Sequence, residues 1–241
     1  MSTFQEIQNK PMRLLAQAKL NLQLSRLIRD RNGLVGCHIK GRQQSGKTSY
    51  ALLVMYELYQ GNVDEILRHT VFSIKALVDL LNEAVRKDER MICVLWDDAS
   101  VQGGAGQYNI NRELVQYLSA MGDTMGIATK GILMTSPSGD IIKAFRNYDF
   151  YKAEVHQGRH KYDRFAKGYS IKKSPMGQQY CSIEFKDNYD TRIPFYERYY
   201  KMRKELSLST LQDINTFLSK PKKPKYTKEM DVEEDEYDGY T

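Results

Sequence analysis

Gly41, Gly46, Lys47 and Thr48 carry the first recognisable chemistry in this chain. They lie in the run Gly41-Arg42-Gln43-Gln44-Ser45-Gly46-Lys47-Thr48-Ser49, with the spacing G-x-x-x-x-G-K-T. Glycines at both ends let the backbone turn tightly, so the amides of Gln43, Gln44, Ser45 and the residues that follow, through Ser49, can converge on phosphate oxygens. Lys47 adds a point charge suited to β- and γ-phosphates, and Thr48 adds a hydroxyl suited to Mg²⁺. The helix that opens at this loop directs its positive dipole end at the same place. The bland alternative is an ordinary Gly-rich turn from strand to helix.

A second run, Ile92-Cys93-Val94-Leu95-Trp96-Asp97-Asp98, is an apolar strand that delivers two carboxylates at its C-terminal end. Open α/β sheets place their ligands at such strand ends. Together the two runs resemble the Walker A and Walker B segments of the P-loop NTPase superfamily, in its ATPase branch of AAA+ and RecA-like proteins and packaging motors. That resemblance implies ATP and Mg²⁺, with Asp97 and Thr48 on the metal and Lys47 on the phosphates. Asp98 stands where many members have a glutamate acting on the attacking water, and aspartate is one methylene shorter.

In this branch a later strand inserts between the Walker A and Walker B strands. Here that strand would be Gly131 to Met134, ending in Thr135-Ser136, and Thr135 or Ser136 would take the sensor position beside the γ-phosphate. Arg146 resembles an arginine-finger position, with Arg112 as a second candidate. A finger acting in trans would require a homo-oligomer.

The elements that must hold these groups are legible from periodicity. Residues 4–31 carry Leu14, Leu15, Ala18, Leu22, Leu24 and Leu27 at helical spacing, and Asn32-Gly33 ends that helix. A helix follows the glycine loop, a short strand is expected at Thr70–Ser73, and an amphipathic helix runs from Ile74 to Arg86. After a Gly-rich loop at 102–106 further helix is expected from Glu113 to Met125 and at Ile141–Arg146. Strands alternating with helices predict an α/β fold with a mainly parallel sheet flanked by helices. Beyond Asp149 the pattern turns strand-like, with a hairpin around Pro175-Met176-Gly177 and helical residues from Glu197 to Leu206 and Leu211 to Leu218. The expected organisation is an N-terminal helix (1–32), a P-loop ATPase core (33–149), a β-hairpin and helical extension packed on the core (150–219) and a disordered charged tail (220–241).

The 241 residues carry +6 overall, and five Lys against seven acidic residues after 219 leave +8 on the body. A basic body suits a polyanion such as DNA. The segment His156-Gln157-Gly158-Arg159-His160-Lys161-Tyr162-Asp163-Arg164-Phe165-Ala166-Lys167 interleaves basic and aromatic residues as nucleic-acid surfaces do, and a solvated hairpin would look the same. His156 and His160 have no cysteine partner nearby, so zinc is not expected. Three scattered cysteines, no long apolar run and no secretory pattern at the N-terminus give the expectation of a cytoplasmic protein, of a cell or an infected host, without a membrane partner.

The layout resembles small ATPases of archaeal viruses and plasmids. It implies an ATP hydrolase acting on or with DNA, in replication initiation, helicase loading or packaging. A slowly hydrolysing nucleotide-dependent DNA switch and a small-molecule kinase are the alternatives. The absence of an Asn-Lys-x-Asp run after the core argues against guanine recognition.

Overall fold

In the computed structural model, β1 (Val35–Lys40) runs directly into the glycine loop and then into α2 (Lys47–Leu58). The structure describes residues 21–99, 122, 124–137, 150–173, 179–205 and 208. Within the expected N-terminal helix, α1 spans Gln23–Asp30. After α2 come α3 (Val63–Arg68), β2 (Thr70–Val71) and α4 (Ile74–Arg86). Asn62 caps α3 by accepting from the Glu65 amide at 3.3 Å, and Ser73 caps α4 by accepting from the Ala76 amide at 3.0 Å. Then follow β3 (Val94–Trp96), β4 (Gly131–Ser136), β5 (Tyr151–Gln157), β6 (Asp163–Lys173) and β7 (Gln179–Asp190).

These strands form one seven-stranded sheet in the order β2-β3-β4-β1-β5-β6-β7. The pairs from β2 through β5 are parallel, and β5-β6-β7 is an antiparallel meander. The fold is α/β, a mostly parallel mixed sheet flanked by helices, consistent with a P-loop NTPase arrangement. β4 lies between β1 and β3, as the sequence resemblance implied, and β5 pairs with the free edge of β1, so the strands after Asp149 continue the same sheet.

Both faces of the parallel strands are buried, which explains their continuous apolar runs. On one face Ile132, Met134, Val94 and Trp96 pack with Leu77 and Leu81 of α4. On the other, α1 comes so close that a Cβ on Gly131 would stand 2.8 Å from Ile28 Cγ2. Buried Asp187 of β7 ties this layer together. It accepts from the Gln23 and Leu24 amides at the start of α1 (2.7 and 3.3 Å) and from the Tyr50 hydroxyl of α2 (2.7 Å). A carboxylate at a helix N-terminus satisfies amides that lack intrahelical partners and complements the dipole.

The expected strand from Met91 is regular only from Val94; Met91 instead makes an isolated bridge to Thr129. Most of the expected 113–125 helix, the 141–146 helix, the loop at 102–106, residues 1–20 and the tail after 219 lie outside the described residues. The chain divides into two compact units, the first ending at Glu197. The second, residues 198–241, is helical over 198–205.

Candidate nucleotide-phosphate site

The parallel register places three strand ends side by side. Lys40 pairs with Ser136, Ile39 with Thr135 and Trp96 with Met134, so Asp97, one residue past β3, lies beside Thr135. Between β1 and α2 the loop is closed by the Ser45 amide donating to Arg42 O at 3.1 Å. Gln44 and Gly46 both take left-handed backbone conformations, with φ of 60° and 98°. Gly46 is also the N-cap of α2, at the point where a helix presents unsatisfied amides.

Lys47 is buried, and its Nζ donates to two carbonyls of its own loop, Gly41 O at 3.0 Å and Arg42 O at 2.8 Å. The ammonium thus lies across the concavity that its loop encloses. Ser45 Oγ is buried there with no hydrogen-bond partner, and a Cβ on Gly41 would stand only 2.8 Å from it. A buried hydroxyl without a partner, in a glycine loop at a helix N-terminus, is a group that a phosphate oxygen would satisfy. Gln43 and Gln44 are exposed, and Ser49 is buried in the first turn of α2.

The carboxylate end is equally specific. Asp97 is fully buried, and its Oδ1 accepts from the Thr48 hydroxyl at 2.9 Å and the Thr135 hydroxyl at 2.5 Å. Thr135 Oγ1 in turn accepts from the Asp98 amide at 2.9 Å, fixing the turn in which Asp98 holds a left-handed φ of 53°. A non-glycine residue in that region is uncommon, and such residues cluster at functional sites. Asp98 itself is half-buried at the rim.

The donors gathered here are all oxygens, a hard set that fits Mg²⁺. Thr48 and Asp97, already in contact, are the two residues that would hold it. Among the described residues no cluster of three His, Cys, Asp or Glu side chains is arranged for a metal.

Side chains on a strand alternate between faces, and this separates the two sensor candidates. Thr135 meets Asp97; Ser136 points to the opposite face, where its buried hydroxyl lies 2.5 Å from Nε2 of buried His38. The structure therefore brings Gly41, Ser45, Gly46, Lys47, Thr48, Asp97, Asp98 and Thr135 to one strand-end site and directs Ser136 elsewhere. Arg112 and Arg146 lie outside the described residues.

Two residues that sequence reasoning missed reach the loop from the antiparallel strands. Arg164 Nε donates to Ser45 O at 2.9 Å, and the Tyr189 hydroxyl donates to Gly46 O at 3.0 Å. The available signal was period-two alternation: Arg164 and Phe165, neighbours in the basic-aromatic segment, must face opposite sides of β6. Phe165 stacks with His156 at 5.0 Å between centroids, and the Lys167 and Lys186 ammonium groups lie 5.8 and 5.1 Å from its ring. Beside them Lys40 bonds Glu154 at 2.6 Å and holds its carboxyl below the usual range. Burial pushes the thiols of Cys37 and Cys93 far up, so neither is a nucleophile.

No family model and no curated protein sequence matches the chain. Among solved structures it is similar to the crystal structure of the N-terminal domain of zonular occludens toxin from Neisseria meningitidis, with a TM-score of 0.37 and 16% identity over 64% of this chain and 95% of that one. Among the described residues no helix is long and apolar enough to cross a membrane.

Proposed function

We propose that this chain binds Mg²⁺-ATP at the β1–α2 loop and hydrolyses its γ-phosphate, working on or with DNA. One observation carries the reading: a glycine loop whose lysine lies across it leads into a helix whose Thr48 hydroxyl, with that of Thr135, donates to buried Asp97. The loop amides and Lys47 would bind the β- and γ-phosphates, and Lys47 would exchange its two loop carbonyls for phosphate oxygens. Thr48 and Asp97 would hold a cation, which would supply neutralisation of phosphate charge. Asp98, half-buried and pinned through its amide, would orient a water for attack on the γ-phosphorus, yielding ADP and inorganic phosphate. Thr135 holds both ends of this arrangement, accepting from the Asp98 amide and donating to Asp97.

The DNA part of the proposal is supported by the outward face of β5–β7, where Phe165 and His156 offer stacking surface between Lys167 and Lys186. An arginine supplied by a neighbouring copy, with Arg146 or Arg112 as donor, belongs to the same proposal. The test is ATP turnover by wild type and Lys47→Ala, each with and without single- and double-stranded DNA. Removing this one cation should lower turnover roughly 100-fold or more, on the scale of losing one preorganised charge-stabilising group. Equal rates in wild type and variant would reject hydrolysis at this loop. ATP-dependent DNA binding with very slow turnover would instead identify a nucleotide switch, which the short reach of Asp98 favours.

A further inference from the structure

The contacts from β6 and β7 land on two consecutive peptide units of the glycine loop, and on their carbonyl ends. A trans peptide is planar, with its C=O and N–H pointing in opposite directions. The described chain contains no cis peptide bond. Holding Ser45 C=O toward β6 therefore directs the Gly46 N–H away from it, and holding Gly46 C=O toward Tyr189 of β7 does the same for the Lys47 N–H. Arg164 Nε grips the first carbonyl at 2.9 Å. The Tyr189 hydroxyl grips the second at 3.0 Å, sharing it with the Tyr50 amide at 2.9 Å.

The gripping groups are themselves fixed. Arg164 Nη1 donates to Lys161 O and Asp163 O, both at 2.8 Å, and the Thr191 amide donates to Tyr162 O at 3.0 Å, tying together the ends of the β5–β6 turn and β7. The Tyr189 ring packs on Tyr50 of α2 with centroids 5.1 Å apart, and burial pushes its phenol well up, so it stays a donor at neutral pH. The contact leaves no slack: a Cβ on Gly46 would stand 2.9 Å from Thr191 Cγ2 and 3.3 Å from Tyr189 Oη. A guanidinium on a carbonyl also polarises that peptide, making the N–H at its far end a stronger donor.

We propose that Arg164 and Tyr189 are positioning residues of the phosphate nest, bracing it from outside so that the Gly46 and Lys47 amides are aimed before any anion arrives. The inference rests on the reading of the loop as a nucleotide-phosphate site, and it assigns to the antiparallel half of the sheet a part in phosphate affinity. It predicts a loss located at the phosphates and blind to the base.

Binding of Mg²⁺-ADP and of inorganic pyrophosphate is measured by calorimetry for the full chain and for Tyr189→Phe, Arg164→Gln and Arg164→Lys, with melting temperatures recorded for each. Tyr189→Phe should weaken both ligands by about 5-fold, the range of one neutral hydrogen bond. Arg164→Gln should weaken both by about 10- to 100-fold, as for a charged one, with partial recovery in Arg164→Lys. Variants that melt lower but bind both ligands within twofold of wild type would overturn the brace and leave the nucleotide site intact. Failure of the wild-type chain to bind either ligand would overturn both readings. Should Arg164→Gln not fold, Tyr189→Phe, which removes a single oxygen, decides alone.

Discussion

Thr48 and Asp97 stand 49 residues apart in the chain and meet through a 2.9 Å hydrogen bond, the hydroxyl donating to a fully buried carboxylate. The carboxylate lies at the end of β3 and the hydroxyl in the first turn of α2, and β4 spaces the two strands. A cation drawn to this carboxylate would meet the hydroxyl beside it. Thr48→Ala should raise the Mg²⁺ concentration for half-maximal ATP turnover by about tenfold or more, since removing even a group that only supports a metal ligand costs about 10- to 100-fold. Thr48→Ser should stay near wild type. A magnesium titration of turnover checks both, and an unchanged midpoint in Thr48→Ala would remove Thr48 from the cation site.

Thr135 and Ser136 are adjacent in sequence but not in role. Thr135→Val keeps the shape and removes the donor to Asp97 and the acceptor for the Asp98 amide, so turnover should fall by about 10- to 100-fold. Ser136→Ala removes the buried hydroxyl that meets His38 and should cost about 1–2 kcal/mol of stability with turnover nearly unchanged. Steady-state rates with urea melts separate the two effects; the reverse pattern would place the sensor at Ser136.

Gly46 is needed twice, for its φ of 98° and for the space that Thr191 and Tyr189 leave it. Gly46→Ala should destabilise the fold by roughly 1–3 kcal/mol and abolish nucleotide binding, since the strained turn and the displaced brace act on the same two peptides. Chemical denaturation and calorimetry give the two numbers.

His69 stacks on Tyr59 with centroids 5.1 Å apart, and burial lowers its pKa below the ordinary 6.5 despite the nearby Glu65 carbonyl and carboxylate. Above that value folded and unfolded chains both hold it neutral. As pH falls through it the unfolded chain takes up the proton first, so stability declines on acidification. The difference in melting temperature between wild type and His69→Phe should hence move against wild type from pH 7 to pH 5.5. A difference independent of pH would show that His69 does not titrate differently on folding.

The glycine loop could be read from sequence because its chemistry is local: two glycines, a lysine and a threonine at fixed spacing between strand and helix. The buried strands could be read because both faces are covered, leaving Val94-Leu95-Trp96 and Ile132-Leu133-Met134 without polar interruptions. What could not be read depends on register. Whether Thr135 or Ser136 faces Asp97 is decided by the β3–β4 pairing, and a slip of one residue would exchange them. Arg164 was hidden for the same reason. Only the pairing of β5 with β1 brings the meander alongside the loop, and only alternation along β6 separates an arginine that faces inward from a phenylalanine that faces out.

The placement of β4 has an outcome for how such a molecule comes into being. A nascent chain that has been synthesised as far as Lys130 already possesses both signature runs, yet β1 and β3 have no neighbour to join them. The wedge that spaces them arrives about a hundred residues after β1 begins, at the entropic expense of closing a long loop. The strand-end arrangement would then assemble in one late, cooperative step, and a truncated product would carry both runs while lacking the Asp97–Thr135 contact.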